Sequence, residues 1–254
     1  MFIVKKYWVP VFNEERSLRI YLPEGYHESK KSYPVLYMHD GQNVFEDRDA
    51  VGGRSLRMED YLKKNHVPLI IVGIDSGANR MEEYRLWAPG KLSEELTGKS
   101  VSQEAKGREY LDFIVKDLKP LIDATYRTQI TSSYMAGISL GGLLTVYALC
   151  RYPNVFTRGV GISSAFFRNQ EKLEEFILEM DCIPIARLYL DCGDKESGDE
   201  RIDRAFLNSN ERIYEMLEKI GASVEFKVMK NGEHHYESFS NRIDEVMSFL
   251  LRES

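Results

Sequence analysis

The sequence predicts an α/β fold, one domain over residues 1–254 with a mostly parallel central sheet and helices on both faces. Three observations predict it. Short runs that are apolar almost throughout, PVLYMH at 34–39 and PLIIVGI at 68–74, suit parallel strands buried on both faces. Segments with apolar residues three and four apart lie between such runs, and strands separated by helices imply a parallel sheet covered on both sides. No Pro/Gly/Ser-rich linker divides the chain.

Each element follows in order. SLRIYL at 17–22 alternates as a half-buried strand does, ahead of the two apolar runs. Residues 76–106 form the longest stretch without a clear period, and a long loop in a compact domain is often functional. Over 108–126, Leu111, Ile114, Leu118 and Ile122 recur at helical spacing. SSYMAGI at 132–138 is a strand, and LGGLLTVYALCRYP at 140–153 is a helix that Pro153 helps to stop. RGVGISS at 158–164, ARLYLD at 186–191 and SVEFKVM at 223–229 read as later strands. Ile202, Phe206, Ile213, Leu217 and Ile220 mark a helix over 200–220, and 238–251 is a final amphipathic helix.

Composition narrows the function. A chain of 254 residues, 43% hydrophobic, buries a sizeable core, and its net charge of −6 opposes nucleic acid and anionic membranes as partners. No apolar run reaches the roughly 18 residues of a membrane span. Residues 1–6 lack the pattern of a signal peptide. Cys150, Cys182 and Cys192 are odd in number and at no metal-ligand spacing; Cys150 and Cys182 sit among apolar residues, as reduced core thiols do. These features point to a cytoplasmic protein with no metal or organic cofactor. The oligomeric state stays open, a homo-oligomer included.

One motif carries chemistry. MAGISLGG at 135–142 sets Ser139 between a buried strand and a helix, with Gly137 and Gly141 two residues to either side. That is the setting of a Gly-x-Ser-x-Gly nucleophile elbow, a sharp turn that bulky neighbours would block. The helix begins at the serine, so its amides and positive dipole end face an oxyanion there. The amide of Leu140 is the expected first donor. The bland alternative is a glycine-rich turn with an idle serine.

A serine needs a base, and the base needs an orienting group; in this fold type they follow in the order serine, acid, histidine. Of five histidines only His234 and His235 lie beyond Ser139, in NGEHHYESF at 231–239, between the last strand and the last helix. His234 follows Gly232-Glu233 directly and is favoured, because His235 would face the opposite way on an extended segment. His39 precedes the serine, out of order. The acid comes from DCGDKESGDE at 191–200, where Asp191, Asp194 and Glu196 compete. Asp191 still belongs to the strand end, while Glu196 lies far enough into the loop to reach the histidine loop. The second oxyanion donor is expected after an early strand, in MHDGQNVFED at 38–47, where the amide of Gly41 or Gln42 serves and Gly41 lets the backbone approach a ligand.

Seven pieces in order together resemble the esterase D-type "putative esterase" family of α/β-hydrolases. They are RIYLPEGY (19–26), YMHDGQNVF (37–45), IVGIDSGANRMEEY (71–84), EYLDFIVKDLKPLIDATYRT (109–128), MAGISLGG (135–142), LYLDCGDKE (188–196) and NGEHHYESF (231–239). The resemblance covers nearly the whole chain and implies an α/β-hydrolase fold. It puts the family serine on Ser139 and the family histidine on His234. The family's usual aspartate, three after the loop glycine, is here Glu196; some relatives work with a weak or missing acid, which would leave a Ser–His dyad. The resemblance also sets Arg80, Glu83 and Tyr84 near the pocket, and with Asp40 these are the candidates for substrate binding. Family members include feruloyl, acetyl and siderophore esterases, S-formylglutathione hydrolases and mycolyl transferases. The expected function is a cytoplasmic serine carboxylesterase that hydrolyses a small-molecule ester through an acyl-enzyme. The alternatives are a specialised siderophore, acetyl- or feruloyl-ester hydrolase and a non-catalytic ligand-binding scaffold.

Overall fold

A computed structural model describes residues 1–98, 104–180 and 187–252. The strands are β1 (Phe2–Val9), β2 (Glu14–Tyr21), β3 (Tyr33–His39), β4 (Ile70–Ile74), β5 (Thr128–Ile138), β6 (Phe156–Ile162), β7 (Arg187–Gly193) and β8 (Val224–Met229). They form one sheet in the order β1-β2-β4-β3-β5-β6-β7-β8. The β1–β2 and β2–β4 pairs are antiparallel and the others parallel. The six parallel strands therefore end on one side, and ligand sites in open α/β sheets gather at those carboxyl ends.

Strand alternation assigns side chains to two cores. Val35 and Tyr37 of β3, with Ile70, Val72 and Ile74 of β4, join the larger apolar cluster, while Leu36, Met38 and Ile71 join the other. The larger cluster lies beneath α4 (Gly107–Phe113), α5 (Lys119–Thr125), α6 (Leu140–Arg151), α7 (Gln170–Leu178) and α8 (Glu200–Lys219). The smaller lies beneath α1 (Met58–Asn65) and α10 (Ile243–Leu251), with α9 (Tyr236–Ser240) just before α10. Every residue from Leu140 to Cys150 is buried, so α6 is a central helix rather than an amphipathic one.

Several sequence expectations change. Residues 76–106 hold α2 (Arg80–Tyr84) and α3 (Lys91–Thr97), each too short to display a period. The helix at 108–126 is α4 and α5 joined by a π turn over Ile114–Leu118, with Leu111, Ile114, Leu118 and Ile122 all buried. The final helix is broken at Asn241 into α9 and α10. Strand β1 and helices α1 and α7 were not expected. β1 is an edge strand with Lys5 and Lys6 exposed, and such a charged edge has no apolar alternation to read. Cys150 is a buried free thiol, as expected; Cys182 lies outside the described residues.

Candidate active site

Ser139 joins β5 to α6 with φ 59° and ψ −119°, a left-handed conformation that a non-glycine residue adopts only when its surroundings impose it. They do so on both sides. Its amide donates to Ile162 O at 3.0 Å, and its carbonyl accepts from Gly142 N, Leu143 N and Ala165 N at 3.1, 3.2 and 2.9 Å. A Cβ on Gly137 would stand 2.2 Å from the Gly141 carbonyl carbon, so the turn closes only with glycine there. The Ser139 side chain is half-buried at the mouth of the turn.

His234 lies beyond β8, and its ring packs edge-on against Phe206 (5.5 Å between centroids) and Phe239 (5.2 Å). Its Nδ1 is 2.6 Å from Glu196 Oε2. The Glu196 carboxylate is buried, and its other oxygen accepts from Gly193 N at 2.6 Å and Ser163 Oγ at 2.5 Å. Burial pushes this carboxyl up, but His234, Ser163 and Gly193 outweigh burial and hold it below the ordinary glutamate value. Close approach of two loops makes the pair possible. A Cβ on Gly193 would collide with Gly232 O at 2.2 Å. The segment 162–165 then links the halves of the site: Ile162 and Ala165 bond the Ser139 backbone, and Ser163 bonds Glu196.

The competing residues have other partners. His235 is exposed, bonds Glu233 at 2.9 Å through Nε2 and caps α9 by accepting from Ser238 N at 3.1 Å through Nδ1. Asp191 is fully buried and pairs with Arg242 Nη1 at 2.7 Å; burial pushes its carboxyl up to about 6 against the pull of Arg242. Asp194 donates its amide to Met229 O at 3.2 Å. His39 lies beneath the elbow, its Nδ1 3.3 Å from Tyr110 Oη, and burial lowers its pKa to about 4, so it is neutral at pH 7.

The remaining expected residues separate into two groups. Arg80 grips Asp40 through both carboxylate oxygens, at 2.6 and 2.7 Å, and lies over the Tyr84 ring at 4.8 Å. It also stands 3.5 Å from Ile138 O, beside the elbow. Tyr84 is itself buried, stacked on Tyr110, and its hydroxyl accepts from Asp40 N at 3.0 Å. Glu83 points elsewhere: it is buried against Arg16 at 2.5 Å and accepts from Gly77 N at 3.0 Å, anchoring the loop to β2. Gly41 carries a constraint that the sequence did not reveal. A Cβ there would meet Gly73 C at 2.5 Å and Ile74 N at 2.7 Å, so packing on β4 by itself demands glycine. Gln42 is latched to Ser76 by two bonds, at 2.8 and 3.0 Å. The amides of Leu140, Gly41 and Gln42 have no acceptor among the described residues.

Sequence reasoning missed Ser163, Arg242, Asn43 and Tyr236. Asn43 Nδ2 donates to Tyr236 Oη at 2.8 Å and Asn43 Oδ1 accepts from Val51 N at 2.8 Å, tying the 46–57 loop to the histidine loop. Between these loops a cleft of about 430 Å³ is lined by His234, His235, Tyr236, Glu237, Val51, Gly52 and Arg54. Each missed residue is an ordinary polar type whose partner is remote in sequence, and no local signal marks it. Among the described residues no three His, Cys, Asp or Glu side chains gather as a metal site, and no helix is long and apolar enough to cross a membrane.

Comparison with known proteins adds to this geometry. The family described as "Putative esterase" matches residues 10–250. The chain is 26% identical to the uncharacterized protein YbbA of Bacillus subtilis (strain 168) over 243 residues, 92% of this chain and 92% of that protein. It is also 26% identical to the ferri-bacillibactin esterase BesA of the same organism over 258 residues, 94% of this chain and 86% of that protein. Among solved structures, an IroE-like serine hydrolase from Shewanella oneidensis superposes with a TM-score of 0.76 at 23% identity, over 97% of this chain and 79% of that chain. This last likeness bears on fold alone.

Proposed function

The chain belongs to the "Putative esterase" family, and from that premise we propose that it is a serine carboxylesterase working through Ser139, His234 and Glu196. One observation carries the reading: a buried carboxylate lies 2.6 Å from Nδ1 of a histidine, joined by one short segment to a strained serine elbow. With Nδ1 held by Glu196, the Nε2 side of the ring is the one available to the serine. His234 takes the proton as Ser139 attacks the ester carbonyl. Glu196 keeps the ring in the working tautomer and stabilises the imidazolium. The tetrahedral oxyanion is received by the amide of Leu140 and by that of Gly41 or Gln42, each contributing about 3 kcal/mol to the lowered barrier. The imidazolium protonates the leaving alcohol, an acyl-enzyme forms, and water activated by His234 releases the acid.

The Asp40–Arg80 pair makes a rigid charged wall beside the elbow and serves substrate positioning, with Tyr84 as its support. Residues 1–254 act as one domain, a reading supported by the single continuous sheet. The free buried thiols Cys150 and Cys192 suit the reducing cytoplasm. A narrower reading, a siderophore-ester hydrolase, is favoured by the similarity to BesA. The test is covalent labelling by a fluorophosphonate, followed by hydrolysis of p-nitrophenyl esters, methyl ferulate and a catecholate ester. Labelling of Ser139 with turnover is the expected result. An unlabelled protein without turnover refutes the assignment, and turnover confined to the catecholate ester selects the narrower reading.

A further inference from the structure

Glutamate has one more rotatable bond than aspartate, so its carboxylate is fixed in one place only when both oxygens are held. Glu196 is held at both: Oε2 faces His234, and Oε1 accepts from Gly193 N and Ser163 Oγ. We propose that Ser163 and Arg242 are positioning residues that fix Glu196 for catalysis; this rests on the triad reading above.

The chemistry of the donors sets the direction of the relay. Arg242 Nη1 stands 2.9 Å from Ser163 Oγ and 2.7 Å from Asp191 Oδ1. A guanidinium donates and never accepts, so the Ser163 oxygen is the acceptor there. A hydroxyl has one proton, and the remaining neighbour at hydrogen-bond distance is Glu196 Oε1. The Ser163 proton therefore points at Glu196, and the bond is polarised by the positive charge behind it. With Gly193 N and Ser163 Oγ donating to Oε1, and the weaker Cys192 Sγ donor 3.8 Å from it, the site accommodates the ionised carboxylate better than the acid. The other end of the relay is equally fixed. Arg242 and Asp191 are 2% and 0% exposed, and Arg242 Nη2 also donates to Ser238 Oγ at 3.1 Å.

Ser163 itself has the marks of an imposed position. Its φ is 45°, left-handed for a non-glycine residue, and it is fully buried just past the end of β6. Its amide donates to Asp191 O at 2.9 Å, so the same residue is held at its backbone by the strand that carries Arg242's partner.

The test uses the whole protein with two variants at the same site. Ser163→Ala removes the hydroxyl and keeps the backbone strain; Ser163→Gly removes both. In each, kcat for an ester the parent turns over should fall about ten- to a hundredfold, as for loss of a hydrogen bond to a charged group, with KM within about twofold. The rate of Ser139 labelling by a fluorophosphonate should fall by the same factor. Ser209, another buried serine, whose hydroxyl bonds Gln170 and not Glu196, gives the control: Ser209→Ala should retain parental kcat. A kcat within twofold of the parent in either folded Ser163 variant overturns the relay and leaves the triad standing. A loss in Ser163→Ala that Ser163→Gly restores assigns the effect to backbone strain and also overturns it. A parent protein that is neither labelled nor active refutes the triad reading instead.

Discussion

The serine side and the acid–histidine side of this site are built in opposite ways. The elbow is local. Gly137, Ser139, Gly141 and the first turn of α6 come from a few consecutive residues, and the strain at Ser139 is balanced by backbone bonds to the neighbouring strand end. The other side is assembled from remote pieces. Glu196 and His234 are 38 residues apart, and Ser163 is 33 residues from Glu196. The elbow stores backbone strain in a rigid turn, whereas the pair depends on burying one carboxylate with enough donors to keep it charged. The proposed chemistry needs both, so the two sides should fail differently when altered.

The largest effects are expected at the two groups proposed to meet the substrate. Ser139→Ala should lower kcat at least about a thousandfold without unfolding the protein, and His234→Ala nearly as far. The double variant should be hardly worse than either, because the residues act as one unit. His235→Ala should keep most of its activity and lose only a helix cap, about 1 kcal/mol by urea unfolding. More than a tenth of parental kcat in Ser139→Ala would separate the elbow from the chemistry.

Next come the acids. Glu196→Gln keeps the shape and removes the charge, and should lower kcat about 10²–10⁴-fold with little change in stability. Asp194→Asn should retain near-parental activity. Asp191→Ala should instead cost about 3–5 kcal/mol of stability, since it strands the buried Arg242 guanidinium. Urea unfolding beside steady-state kinetics distinguishes these outcomes. Near-full activity in folded Glu196→Gln would mean that the acid–histidine side is a Ser–His dyad.

The two glycine collisions sharpen the contrast. Gly137→Ala and Gly193→Ala each drive a Cβ to 2.2 Å from backbone, the first inside one turn and the second between two loops. The turn has no way to relax, so Gly137→Ala should lose about 1–3 kcal/mol or more of stability. The loops are free to part, so Gly193→Ala should lose less stability but separate Glu196 from His234. Its signature is a fall in kcat greater than the fall in denaturation midpoint explains.

The smallest effect is a pH slope. The Glu196 carboxyl is held below its ordinary value of 4.5 in the folded state. Its contribution to stability is therefore fully present above that ordinary value and disappears as pH falls through the lowered folded one. The stability difference between the parent and Glu196→Gln should shrink on acidification from about pH 6 to about pH 3, read from urea midpoints. A difference that grows with acidification would mean that burial, rather than its donors, governs this carboxylate.

Local patterns carried much of this protein. The apolar runs at 34–39 and 68–74 are β3 and β4, because strands buried on both faces leave no polar positions to confuse the reading. The elbow was legible because its glycines, serine, strand and helix are contiguous. The order of serine, acid and histidine expected of the fold type limited the candidates for the base to His234 and His235. Folding in three dimensions decided the rest. Asp191, Asp194 and Glu196 all competed in the sequence, where only position in the loop favoured Glu196; in the structure Arg242 takes the first and His234 the third. Glu83 went to Arg16 and Gly41 to the backbone of β4, each for a partner far along the chain. Ser163 and Arg242 carry no local mark at all. A backbone turn is determined by neighbours within a few residues, whereas a buried charge is determined by whichever donors the packed strands bring to it, and only the tertiary structure chooses those.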